Sequence, residues 1–150
     1  MKQFLLYIFI LLGLFTWPQP TAADEAIKVT DQNWAANFRE SLSFTVKAES
    51  SAKITEVSLL YQVAGQLATS RNEAEFTPGN SIEAEFTIDQ TKPENYMPPG
   101  TELQYWWKIV DEAGNELKTA KQNVLYLDNR YDWQKLENDR VTLFWYEGDD

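Results

Sequence analysis

Apolar side chains fall on every second residue in segment after segment of this chain, and turn residues separate the segments. No window shows the spacing of a long amphipathic helix. Period two places successive side chains on opposite faces of a strand, so the pattern restricts the chain to an all-β fold with one face of each strand buried. Ser41 to Glu49 sets Leu42, Phe44, Val46 and Ala48 on one side and Ser43, Thr45 and Lys47 on the other. Lys53 to Val63 gathers Val57, Leu59, Tyr61 and Val63 on one face, and Ser81 to Asp89 gathers Ile82, Ala84, Phe86 and Ile88. Ala26 to Trp34, Glu102 to Val110 and Glu116 to Leu127 read as further strands, with a short edge strand over Ala74 to Phe76. Thr77-Pro78-Gly79-Asn80 and Asp111-Glu112-Ala113-Gly114-Asn115 read as turns, the second a hairpin whose positive φ falls on Gly114 or Asn115. About seven strands with this spacing over residues 26–127 predict an immunoglobulin-like or fibronectin type III-like β-sandwich.

The strongest strand carries the most conspicuous cluster, Tyr105-Trp106-Trp107. Alternation puts Leu103, Tyr105, Trp107 and Ile109 on one face and Gln104, Trp106, Lys108 and Val110 on the other. Trp107 is then the central core tryptophan, with Phe44, Leu59, Tyr61, Phe86 and Tyr105 as further core anchors. Trp106 points outward between Gln104 and Lys108, and these three form the candidate binding residues. An outward indole serves either as a stacking platform for a sugar ring or peptide, or as a cross-strand packing partner.

Composition removes whole classes of function. The 150 residues contain no His and no Cys. A Ser-His-Asp triad, a Cys-His dyad, an HExxH zinc site, a thiolate metal site and a disulfide are all excluded. With 13 Lys+Arg against 23 Asp+Glu the formal net charge is -10, which disfavours nucleic acid and anionic membrane surfaces alike. Asp111, Asp128, Asp132 and Asp139, with Asn115 and Asn129, are oxygen-bearing residues at strand ends, but none has the spacing of a calcium loop, and solvated turns account for them. Glu83 and Glu85 read as an outward acidic face. No catalytic residue and no metal ligand is expected in this chain.

The two ends read differently from the middle. Lys2 is followed by the apolar run Phe4 to Phe15, then Pro18, Pro20 and the small residues Thr21, Ala22 and Ala23. That order describes a secretory signal peptide over residues 1–23 with cleavage after Ala23; an uncleaved N-terminal anchor is the alternative, though the run is short for a span. The expected product is exported, extracellular or cell-surface, and monomeric. Residues 128–139 read as a polar linker, and Val141 to Tyr146 as an apolar strand with nothing left to pair with.

Several stretches together resemble the N-terminal region of secreted bacterial proteins of the peptidase MA type, which are gluzincin-like zinc metallopeptidases. They include Ser58-Leu59-Leu60-Tyr61, Phe76-Thr77-Pro78-Gly79, Ala84-Glu85-Phe86-Thr87-Ile88-Asp89 and Pro98-Pro99-Gly100-Thr101-Glu102-Leu103-Gln104-Tyr105-Trp106-Trp107. Asp111-Glu112-Ala113-Gly114-Asn115, Tyr126-Leu127-Asp128-Asn129-Arg130-Tyr131-Asp132-Trp133 and Val141-Thr142-Leu143-Phe144-Trp145-Tyr146-Glu147-Gly148-Asp149 complete the set. The resemblance implies an immunoglobulin-like domain over 24–127, a linker over 128–139, and over 140–150 the first strand of a missing or truncated peptidase-like domain. It further implies a non-catalytic accessory role, positioning the catalytic domain or contacting a protein substrate, with zinc confined to the absent HExxH domain. The residue reading leaves a stand-alone protein- or carbohydrate-binding module open beside it.

Overall fold

The computed structural model describes residues 26–148. The signal segment expected at 1–23 lies outside the described residues. Nine strands follow in order: β1 Ile27–Asn37, β2 Ser41–Val63, β3 Ser70–Glu73, β4 Gly79–Asp89, β5 Thr101–Asp111, β6 Glu116–Lys118, β7 Gln122–Tyr126, β8 Gln134–Glu137 and β9 Thr142–Trp145. One 3-10 turn, Pro93–Asn95, interrupts them.

The architecture is a two-layer β-sandwich built around β2. Its first half, Ser41 to Ser50, pairs antiparallel with β1 on one side and β4 on the other. Its second half, Ile54 to Val63, pairs with β3 and β5, and β5 in turn carries β6 and β7. The ladders break register around residues 49–54, where β2 leaves one layer and enters the other.

The inward sets from the alternation meet between the layers. Leu42, Phe44, Val46 and Ala48 from the first layer are fully buried with Leu59, Leu103, Tyr105, Trp107 and Ile109 from the second. Phe44 and Tyr105 make a tilted ring contact at 4.8 Å between centroids, joining the two faces directly. Tyr61 and Phe86 are half-buried and pack against this core rather than within it. A fully buried aromatic removes about 150–250 Å² from water, so these rings supply much of the stabilisation that a chain without disulfides needs.

The corner before β5 closes the domain. Pro98 carbonyl accepts from the Thr101 amide and hydroxyl, and the Gly100 amide donates to the Tyr126 carbonyl at 2.8 Å. Gly100 has φ +86, a conformation that L side chains rarely adopt. The Tyr126 hydroxyl accepts at 2.9 Å from the amide of Arg39, whose φ of 65 turns β1 into β2. A phenol on the last sandwich strand thus fixes the first hairpin.

Six local expectations are corrected. Residues 41–49 and 53–63 form one strand, because the segment between them stays extended and finds partners outside the ladder. Residues 116–127 form two strands, because Thr119 turns back onto Trp107: its hydroxyl accepts from the Trp107 amide and its own amide donates to the Trp107 carbonyl. The short edge strand is Ser70–Glu73 rather than 74–76, and Gly79 and Asn80 open β4 instead of belonging to a turn. Residues 128–139 are not a bare linker, and the final strand is paired: Gln134–Glu137 forms an antiparallel two-stranded sheet with Thr142–Trp145. The start of that segment also docks on the sandwich, with Asn129 Nδ2 donating to the Ala36 carbonyl at 2.9 Å and the Arg130 guanidinium 5.8 Å from the Phe38 ring centre.

Replacing Trp107 with Ala removes a fully buried indole and is expected to cost about 3–5 kcal/mol in urea unfolding. Tyr126→Phe removes only the hydroxyl that accepts from Arg39, and its expected cost is about 1 kcal/mol. A Trp107→Ala effect below that of Tyr126→Phe would refute the placement of the core.

Candidate functional site

Directly opposed residues in antiparallel strands project to the same side. Gln62 opposes Gln104, and Gln104 opposes Asn123. Three amide side chains therefore form a row across β2, β5 and β7 on the outer face of the second layer. Gln104 Nε2 donates to Asn123 Oδ1 at 3.0 Å, and Gln62 Nε2 donates to the Gln66 carbonyl at 2.8 Å. The next row along β5 holds Trp106 opposite Leu60. The row after that holds Lys108 between Ser58 and Lys118.

The structure thus brings the three predicted residues onto one face but gives them unequal roles. Gln104 is exposed and Trp106 half-buried. The Lys121 ammonium stands 4.5 Å from the Trp106 ring centre, a cation–π contact that covers part of the indole. Lys108 is engaged in ion pairs, 3.0 Å from Glu116 and 3.8 Å from Glu56. Arg71 pairs with the same Glu56 and donates through Nε to the buried Ser58 hydroxyl. The hydrogen bond from Lys108, followed by that from Lys118, holds the Glu116 carboxyl below the usual range. This end of the face is a self-satisfied charge network, and Lys108 is a structural residue within it.

The other end is open. A recess of about 670 Å³ lies beyond Gln104, bounded by Gln62, Val63 and Gln66 on one side and Asn123, Val124 and Leu125 on the other. Glu102 and Lys135 line it as well, the latter contributed by β8. Lys135 pairs with Glu137 at 2.7 Å, and that hydrogen bond raises its pKa above the ordinary lysine value. Gln62, Asn123, Lys121 and Lys135 were not singled out in the sequence. Parity alone places Gln62 outward, but its alignment with Gln104 depends on the register of two strands 42 residues apart at these positions.

The strand-end acids are engaged elsewhere. Asp111 is buried and accepts from the amides of Ala113 and Asn115, the Asn115 side chain and the Ser50 hydroxyl. Its carboxyl is held below the usual range, first by the Asn115 side chain. Asp128, also buried, is likewise lowered, first by the hydrogen bond from Arg130. Their oxygens accept from N–H donors and, at Asp111, from the Ser50 hydroxyl. Among the described residues no group of three His, Cys, Asp or Glu is gathered as for a metal ion. The chemistry available on the outer face is amide hydrogen bonding beside an aromatic surface.

No protein-family model matches the chain, and no curated protein matches it. Solved structures overlap it weakly. A bromine derivative of BhCBM56 gives a TM-score of 0.40 at 11% identity, covering 63% of this chain and 100% of that one. The putative ApaA protein from Bordetella pertussis gives 0.39 at 12% identity, covering 69% and 94%. A Northeast Structural Genomics Consortium target gives 0.39 at 12% identity, covering 70% and 90%. Superpositions this loose assign no ligand and no activity.

Asp111 and Asp128 have depressed pKa values in the folded chain, so the unfolded chain takes up protons first as pH falls. Their stabilisation is present above about pH 3.9, the ordinary aspartate value, and is lost as pH drops through their folded values. Chemical denaturation between pH 6 and about pH 2 is expected to show a steep acid decline in the native protein. The decline is expected to be shallower in an Asp111→Asn, Asp128→Asn double variant, and equal slopes would contradict this.

Proposed function

We propose that this domain is a non-catalytic binding module that holds a neutral, hydroxyl-rich chain, a polysaccharide strand, against the outer face of β2, β5 and β7. The observation that carries this reading is the amide row Gln62–Gln104–Asn123 lining an open recess next to Trp106. A carboxamide offers an acceptor oxygen and two donors side by side, which suits paired hydroxyls. An indole beside it offers an apolar plane against which a sugar ring can lie. The net charge of -10 disfavours acidic polysaccharides and leaves neutral ones. In this reading the protein is exported, works as a monomer and performs no reaction.

A second reading keeps the sandwich as the accessory domain of an exported zinc peptidase of the MA type. It draws on the resemblance described above and on one surface feature: Leu136 and Leu143 on the small β8–β9 sheet, and Val141 in the turn that joins its strands, are more than half exposed. An apolar surface of this kind suits a neighbouring domain or protein substrate.

Affinity electrophoresis and calorimetry against a panel of neutral polysaccharides test the first reading. Trp106→Ala is expected to weaken binding about ten-fold. Lys121→Ala is expected to strengthen it about two- to five-fold, because a ligand stacking on Trp106 must first displace an ammonium held by roughly 0.5–1 kcal/mol. Absence of binding by a folded protein to every glycan in the panel would leave the accessory reading in its place.

A further inference from the structure

We infer that the recess beside Gln104 is the first of two subsites on one continuous track, so that the module reads the length of its ligand. This inference rests on the polysaccharide reading and deepens it. A second recess of about 280 Å³ lies across the turn that follows β2. Tyr61, Ile88, Tyr96 and Met97 line it. Val63 and Gln66 border both recesses, which makes the turn a saddle between them rather than a wall of either alone.

The saddle is low and fixed. The Gln66 amide donates to the Val63 carbonyl at 3.0 Å, and Gln62 Nε2 grips the Gln66 carbonyl from the amide row. Gly65, at φ +79, presents no side chain, and a Cβ built there would meet nothing within 4 Å. A chain leaving the amide row therefore crosses open space above the glycine and meets Tyr96, which is 54% exposed.

Tyr96 is held as a preformed surface. The Met97 amide beside it donates to the buried Gln90 Oε1 at 3.1 Å, and the adjoining Asn95 Nδ2 donates to the Asp89 carbonyl at 3.0 Å. Pro98 and Pro99 stiffen the segment that follows. A ring carried on a held backbone segment offers contact area with little backbone entropy left to lose on binding.

The two recesses differ in chemistry in a way that a linear ligand suits. The first supplies amides for hydroxyls; the second supplies the Tyr96 ring beside polar groups of Ser70, Glu94 and Asn95. A disaccharide fills the first alone, while a longer unbranched oligomer reaches Tyr96.

The test is calorimetric titration of the full-length protein with a neutral oligosaccharide series from disaccharide to hexasaccharide, drawn from whichever polysaccharide it retains. Affinity is expected to rise about ten-fold along the series. In Tyr96→Ala the disaccharide affinity is expected to stay at the native value while the rise with length disappears; Tyr96→Phe, which keeps the ring, is expected to retain it. Length-independent affinity in the native protein, or an equal loss for short and long ligands in Tyr96→Ala, overturns the two-subsite track but leaves the module reading standing. Failure of any sugar to bind removes both.

Discussion

One strand belongs to both layers, and the crossing between them is the constraint on which the rest of the fold depends. Where β2 leaves the first sheet, its backbone groups lose their ladder partners and must be satisfied otherwise, since unpaired buried polar groups are costly. The crossing is held by side-chain and backbone groups from three other places in the chain. Asn80 Nδ2 donates to the Ser50 and Ser51 carbonyls, and the Glu112 amide donates to the Lys53 carbonyl. The Ser50 hydroxyl donates to the Ala26 carbonyl or to Asp111 Oδ2. Asp111 simultaneously shapes the hairpin between β5 and β6, so the same carboxylate sets where the strand crosses and where its neighbour turns.

That arrangement decides what the outer face offers. Because β2 enters the second layer at Ile54, its outward residues Gln62 and Leu60 come level with Gln104 and Trp106. A shift of one residue would turn Gln62 inward and bring Tyr61 to the surface. The amide row therefore depends on a polar clasp at the far end of the same strand. The charge network of Arg71, Glu56, Lys108 and Glu116 lies between them and covers the buried Ser58.

Much of this was legible from alternation. The inward sets on β2, β4 and β5 are the buried sets apart from the half-buried Tyr61, Val63 and Phe86, and Gly114 takes the positive φ of its hairpin. What alternation does not encode is where an extended segment changes sheets. Ser50, Ser51 and Ala52 contain no glycine or proline, so nothing local separates a bend from a turn. The break between β6 and β7 comes from Thr119 folding onto Trp107, a contact 12 residues away. The pairing of β8 went unread because Gln-Lys-Leu-Glu has a single apolar residue. At the site, the outward position of Trp106 followed from parity. The ammonium resting on its ring, and the alliance of Lys108 with two glutamates, arise only once β6 and β7 are in place.

A shared strand also has a kinetic meaning. Neither half can bury its inward face while the other is open, because β1 and β4 close on one half of the strand whose other half carries β3 and β5. The sandwich should therefore pass between unfolded and native forms in one concerted step, with no stable intermediate that has one finished sheet. Most of its pairings join residues distant along the chain, and such topologies search slowly for their native partners.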